Sequence, residues 1–170
     1  VEELTAGFRV PRDVIAYASR LLPVISPGLT PVESVRESPG SLSVRKVADA
    51  HALDAAVVAA CEEALGHEGS IGLIAADARV PALAEALTAA GHTYLSPGEE
   101  TTAETRLTLV PASLAKGLEY DYVVLDEPAA VVDGEPDERT GLRRLYVALT
   151  RAVSGLTVLH AASLPDELTQ

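Results

Sequence analysis

The chain is 170 residues long, enough for one domain with a buried core. Hydrophobic residues make up 48% of it, with one Phe and no Trp, which suits a helix-covered sheet better than an aromatic platform for stacking bases. A formal net charge of −12 opposes autonomous binding to nucleic acid, so any groove for DNA must be local or shared.

The single Cys61 cannot form an internal disulfide, and its place in an apolar run reads as a buried small hydrophobe. His51, His67, His92 and His160 show no metal-ligand spacing, and no metal site is expected. No apolar run approaches membrane-spanning length and no basic-then-apolar leader is present, which gives the expectation of a cytoplasmic protein without a membrane partner. Val1 suggests a piece of something longer.

In chain order, Phe8 and Arg9 form a loop pair ahead of Pro11, where a helix begins with Val14, Ile15, Ala18, Leu21 and Leu22 at helical spacing. Residues 23–40 are rich in Pro, Gly and Ser and read as an extended connection. Leu42 to Val47 alternates as a strand exposed on one face does. A helix follows from about Asp49, a cap, to Leu65, stopped at Gly66. The apolar run Ser70 to Ala76 predicts a strand buried on both faces of a parallel sheet. A helix over Val80 to Ala90, a strand at His92 to Leu95 and a strand at Leu107 to Val110 continue the alternation, which predicts an α/β fold with right-handed crossovers.

Between Leu107 to Val110 and the strand Tyr122 to Leu125 lies a turn with Lys116 and Gly117, where Gly117 lets backbone approach a ligand closely. That arrangement puts Lys116 to Glu119 at a sheet end, where open α/β sheets bind ligands. Asp126 and Glu127 imitate the magnesium-binding strand end of a P-loop ATPase. The chain has no Gly-x-x-x-x-Gly-Lys-Ser/Thr loop to hold phosphates, so they read as an ordinary strand end. Residues 128–139 are acidic and read as a solvated loop. Leu142, Leu145, Tyr146 and Leu149 form the apolar stripe of a helix, on which Arg144 and Arg151 lie close in angle while Arg143 points elsewhere. A last strand, Leu156 to His160, precedes a loose tail from Leu164 to Gln170.

Three of these stretches resemble motifs of superfamily 1 helicases of the UvrD, Rep and PcrA kind. Tyr146-Val147-Ala148-Leu149-Thr150-Arg151-Ala152 is similar to the final motif, Ala115-Lys116-Gly117-Leu118-Glu119-Tyr120-Asp121 to the fifth, and Gly7-Phe8-Arg9, with two changes, to an Asn-Tyr-Arg motif. The resemblance covers nearly the whole chain and corresponds to the second RecA-like domain, usually labelled 2A. It implies one three-layer α/β domain with a mostly parallel sheet and no P-loop of its own. By the same resemblance Phe8 stacks on adenine, Arg9 and Arg151 reach the ATP γ-phosphate, Gly117 lies near the nucleotide and Glu119 bonds the ribose. Ser113 and Lys116 border a path for single-stranded DNA. ATP and Mg²⁺ would be held mainly by an N-terminal P-loop domain of the same polypeptide, and the isolated chain would not hydrolyse ATP.

Two departures qualify this. Only the short loop Ser96 to Thr105 stands where UvrD-like helicases insert their large 2B domain, which puts processive unwinding in doubt. The wording Pro111-Ala112-Ser113-Leu114 resembles the HelD branch, helicase-like ATPases that act on RNA polymerase, more than the Thr and His of DNA helicases. A stand-alone α/β binding module is the remaining, more distant alternative.

Overall fold

The computed structural model describes residues 11–25, 41–102 and 104–168. Helices α1 (Arg12–Ser19) and α2 (Leu22–Ile25) come first, α1 starting directly after Pro11, whose fixed φ suits a helix entry. Strand β1 (Ser41–Lys46) leads to α3 (Ala50–Leu65). Asp49 caps α3 by accepting a 2.9 Å hydrogen bond from the Ala52 amide, and Gly66 ends it. Strand β2 (Ile71–Ala75) is buried throughout, as its unbroken apolar run requires. A 3₁₀ turn at Asp77–Arg79 and helix α4 (Val80–Ala89) connect it to β3 (Leu107–Pro111). After the 3₁₀ turn Ala112–Leu114 come β4 (Tyr120–Asp126), α5 (Pro128–Asp133), α6 (Glu138–Leu149), β5 (Ala152–His160) and a 3₁₀ turn at Asp166–Leu168.

All five strands run parallel in the order β1-β5-β4-β2-β3. Successive residues of β4 alternate between two cores, as the two-residue period of a strand demands. Val123 and Leu125 join one core with α1, α2, α5 and α6, whereas Val124 joins the other with α3 and α4. The result is the expected three-layer α/β architecture.

Four expectations need correction. His92 to Leu95 is not a strand. Only Leu95 bridges to Thr108, because the His92 amide still closes the end of α4 on Leu87 and the turn at Ser96 to Glu99 follows at once. The acidic stretch 128–139 is largely helical: Pro128 starts α5, Val131 is buried against α6, and Asp137 caps α6 through a 2.8 Å bond from the Thr140 amide. The tail is not loose as far as Leu168, which is buried in the same core as α1 and α6. Residues 23–25 of the supposed connection belong to α2, and 26–40 lie outside the described residues.

Because the strands are parallel, the sheet has one edge made of strand starts and another made of strand ends. Residues 112–119 carry the chain from the end of β3 back to the start of β4. Parallel connections normally take about a dozen residues or more, often a helix. This one has only a 3₁₀ turn and a tight turn, with Ala112 and Ala115 buried against the α6 side of the sheet. One short connection therefore touches both edges.

Candidate functional site

At the amino edge, just before β4, Lys116 and Gly117 occupy a turn closed by a 3.1 Å bond from the Leu118 amide to the Ala115 carbonyl. Gly117 has φ +84°, and a Cβ there would meet nothing within 4 Å, so the glycine serves the backbone conformation and leaves its surface open. Glu119 is exposed beside it. The turn therefore stands at strand starts, not at the carboxyl ends where open α/β sheets usually bind ligands.

Arg151 meets this turn from the other motif. Thr150 ends α6, so Arg151 belongs to the link into β5 and does not share a helix face with Arg144, contrary to the expectation from their spacing. Its Nε donates to the Val147 carbonyl at 2.9 Å, Nη1 to the Leu118 carbonyl at 3.2 Å and Nη2 to the Thr150 hydroxyl at 3.3 Å. The Tyr120 amide in turn donates to the Arg151 carbonyl at 3.0 Å. Burial pushes the Arg151 guanidinium below its ordinary value, and the Glu119 carboxylate and Tyr146 oppose that. Gly117, Glu119 and Arg151 are thus brought together by β4 and β5 lying side by side. A cation, a carboxylate and open backbone at one place suit a polyphosphate, a ribose hydroxyl and close approach, respectively. Phe8 and Arg9 lie outside the described residues.

The carboxyl edge is built differently. Asp126, at the end of β4, is completely buried and accepts two 2.9 Å bonds from Arg79, one from Nε and one from Nη2. The same Nη2 donates to Asp54 at 2.6 Å. Burial pushes the Asp126 carboxyl up, with Arg79 pulling it back down. Glu127 holds the left-handed φ of 44°, and its Oε1 accepts from the Ala161 and Ala162 amides at 3.0 and 2.9 Å. Both Asp126 oxygens are taken by Arg79, whereas of Glu127 only Oε1 is engaged and Oε2 is buried without a hydrogen-bond partner. Among the described residues no group of three or more His, Cys, Asp or Glu could hold a metal ion. No described helix is long and apolar enough to cross a membrane.

Ser113, also at this edge, gives both of its donors to Asp77. The hydroxyl donates to Oδ2 at 2.5 Å and the amide to Oδ1 at 3.2 Å. Neither donor is left for a phosphate, and a negative charge stands beside the serine. Lys116 is exposed, nearer the other edge. Arg144, within α6, pairs with Glu135 at 3.1 Å.

Sequence reasoning passed over Arg79 and Asp77. A usable signal existed, since charged residues directly after a fully apolar strand fall at a carboxyl edge. That these two would pair with Asp126 and Ser113, 47 and 36 residues away, carried no such signal.

Residues 108–159, which include both turns of the amino edge, match the family model described as UvrD-like helicase C-terminal domain. The C-terminal domain of a possible DNA helicase from Lactobacillus plantarum WCFS1 is similar in structure, with a TM-score of 0.73 at 22% identity over 96% of this chain and 93% of that one. At that identity the likeness is one of fold. An arterivirus nonstructural protein 10 helicase, solved in complex with DNA, gives a TM-score of 0.49 at 12% identity over 91% of this chain and 33% of that one, too remote a likeness to bear on the site. No curated protein sequence matches the chain. Over residues 108–159 the chain thus carries the UvrD-like helicase C-terminal domain signature, and its fold is similar to that of the C-terminal domain of a possible DNA helicase.

Proposed function

We propose that this chain is the second, P-loop-free half of an ATP-driven superfamily 1 motor, and that its amino edge closes over ATP held by an N-terminal P-loop domain. The observation that supports this best is the Arg151 guanidinium resting on the Leu118 carbonyl, 33 residues away, so that two separate motifs make one surface. Phosphoryl transfer needs its developing charge neutralised, and an arginine supplied across a domain cleft is one way to do it. In this reading Arg151 exchanges neutral carbonyl acceptors for γ-phosphate oxygens, a trade favoured by the charge on the new partner. Glu119 accepts a hydrogen bond from the ribose, Gly117 lets the backbone come close, Phe8 stacks on adenine and Arg9 adds a second cation. Magnesium is held mainly by the P-loop domain. Closure and reopening of the cleft would drive the mechanical work.

Two targets for that work differ in what they require. As a DNA translocase, the motor would draw single-stranded DNA along Ser113 and Lys116. As a relative of the HelD branch, it would remodel RNA polymerase, and the commitment of Ser113 to Asp77 favours this second reading. A strand-separation assay run beside a polymerase pull-down separates them.

The motor proposal itself is tested by ATP turnover in the protein that joins this chain to its P-loop domain. Arg151→Ala should lower turnover by about a thousandfold, as loss of an arginine finger does. Unchanged turnover would remove the arginine from the reaction, and with it the reading of the amino edge.

A further inference from the structure

We infer that the carboxyl edge of the sheet carries a docking pocket for an arginine side chain presented by a protein partner. From the centre of the sheet β2 leads outward to β3 and β4 leads the other way to β5, so the strand order reverses between β2 and β4. A crevice opens where such a reversal meets the strand ends. Here it is a cavity of about 450 Å³.

Its walls have two characters. Ala112 and Val131, both buried, form an apolar floor. Asp77, Asp133 and Glu135 carry carboxylates at the lining, against the single guanidinium of Arg144, which leaves two negative charges in excess. Arg144 is already held by Glu135, and Asp133 is exposed with no ion pair among the described residues.

An arginine meets both requirements at once. Its methylene stem lies along the apolar floor while the planar guanidinium reaches carboxylates at the mouth. A phosphate backbone meets the wrong sign of charge. The excess negative charge also steers a basic segment toward the pocket and repels acidic ones. The pocket stands apart from the amino edge, and the inference does not depend on the nucleotide reading.

The test uses the ¹⁵N-labelled chain and a capped pentapeptide with arginine at its second and fourth positions. A citrulline version, equal in shape but uncharged, and an oligothymidylate of the same length serve as the other probes. The arginine peptide should shift amides at residues 76–78, 112 and 130–135, and Asp133→Asn combined with Glu135→Gln should weaken its binding about tenfold or more, the worth of a charged hydrogen bond. Glu68→Gln combined with Glu85→Gln removes the same charge elsewhere on the exposed surface and should leave the affinity unchanged. Equal weakening by both double substitutions, equal binding of the citrulline peptide, or shifts of the same amides by the oligothymidylate would each overturn the assignment.

Discussion

At the amino edge of the sheet Arg151 is held by three neutral oxygens, the Val147 and Leu118 carbonyls and the Thr150 hydroxyl. At the carboxyl edge Arg79 is held by two carboxylates, those of Asp126 and Asp54. On the proposed reading the first arginine exchanges its partners for an anion, and a charged acceptor makes the stronger bond. The second cannot leave without stranding a buried carboxylate. One edge of the sheet therefore keeps its cation available, whereas the other has built its cation into the core.

Breaking each edge in turn should show that difference. On the proposed reading, the largest effect is expected at the amino edge. Arg151→Lys keeps the charge and loses the planar fork, and we expect ATP turnover in the protein joined to its P-loop domain to fall by nearly the same factor of about a thousand as in the alanine variant. Turnover near that of the wild type would mean that charge alone suffices there.

Arg79→Ala should instead lower stability, by about 3–5 kcal/mol in urea unfolding, because it leaves Asp126 buried and unpaired. The dependence on pH carries a definite sign. Burial already holds Asp126 above its ordinary value, so its contribution is complete in acid and declines as pH rises through the raised value. Without Arg79 that value climbs further, and the deficit against the wild type should grow from acid to neutral pH. Cys61 offers an internal gauge. Burial, then the Glu62 and Asp126 carboxylates, push its thiol up to about 12. A thiol reagent at pH 8 should label it only through unfolding, faster in Arg79→Ala than in the wild type. Prompt labelling of the native wild type would contradict that placement.

A smaller loss is expected from Gly117→Ala. Open space surrounds the position, so only the positive φ opposes the substitution, at about 1–2 kcal/mol. Chemical denaturation beside an activity assay would show whether the turn's shape matters to function beyond this. The smallest effect belongs to Asp137, at the cap of α6. The bond from the Thr140 amide, then that from its hydroxyl, lower its carboxyl below the ordinary value. Its contribution is therefore present above the unfolded value and lost as pH falls through the folded one. Asp137→Asn should flatten that acid limb of a thermal stability profile without altering the fold.

Local signals carried most of the fold. The cap at Asp49, the stop at Gly66 and the unbroken apolar run of β2 each specify an element from a few adjacent residues, and each stands where it was expected. The failures share a different cause. His92 to Leu95 has strand-like composition, yet the chain leaves the sheet after one bridge at Leu95. Residues 128–133 sit in an acidic, proline-bearing stretch, but Val131 finds a place against α6 that local polarity does not reveal. Arg144 and Arg151 share an angle only while the helix lasts, and it stops at Leu149. For the site, the wording of two motifs located Gly117, Glu119 and Arg151, whose meeting depends on β4 pairing with β5. Asp126 and Arg79 are joined only by the fold, so neither showed its partner beforehand.

The most direct test compares two arginines only eight positions apart, Arg151 at the amino edge and Arg143 on the exposed face of α6. Single-turnover hydrolysis of ATP would be measured for Arg151→Ala and Arg143→Ala, each in the protein that includes the P-loop domain. We expect the first to slow hydrolysis by about a thousandfold and the second to leave it unchanged. Equal rates in the two variants, whether both slowed or both intact, would contradict a catalytic arginine at the amino edge.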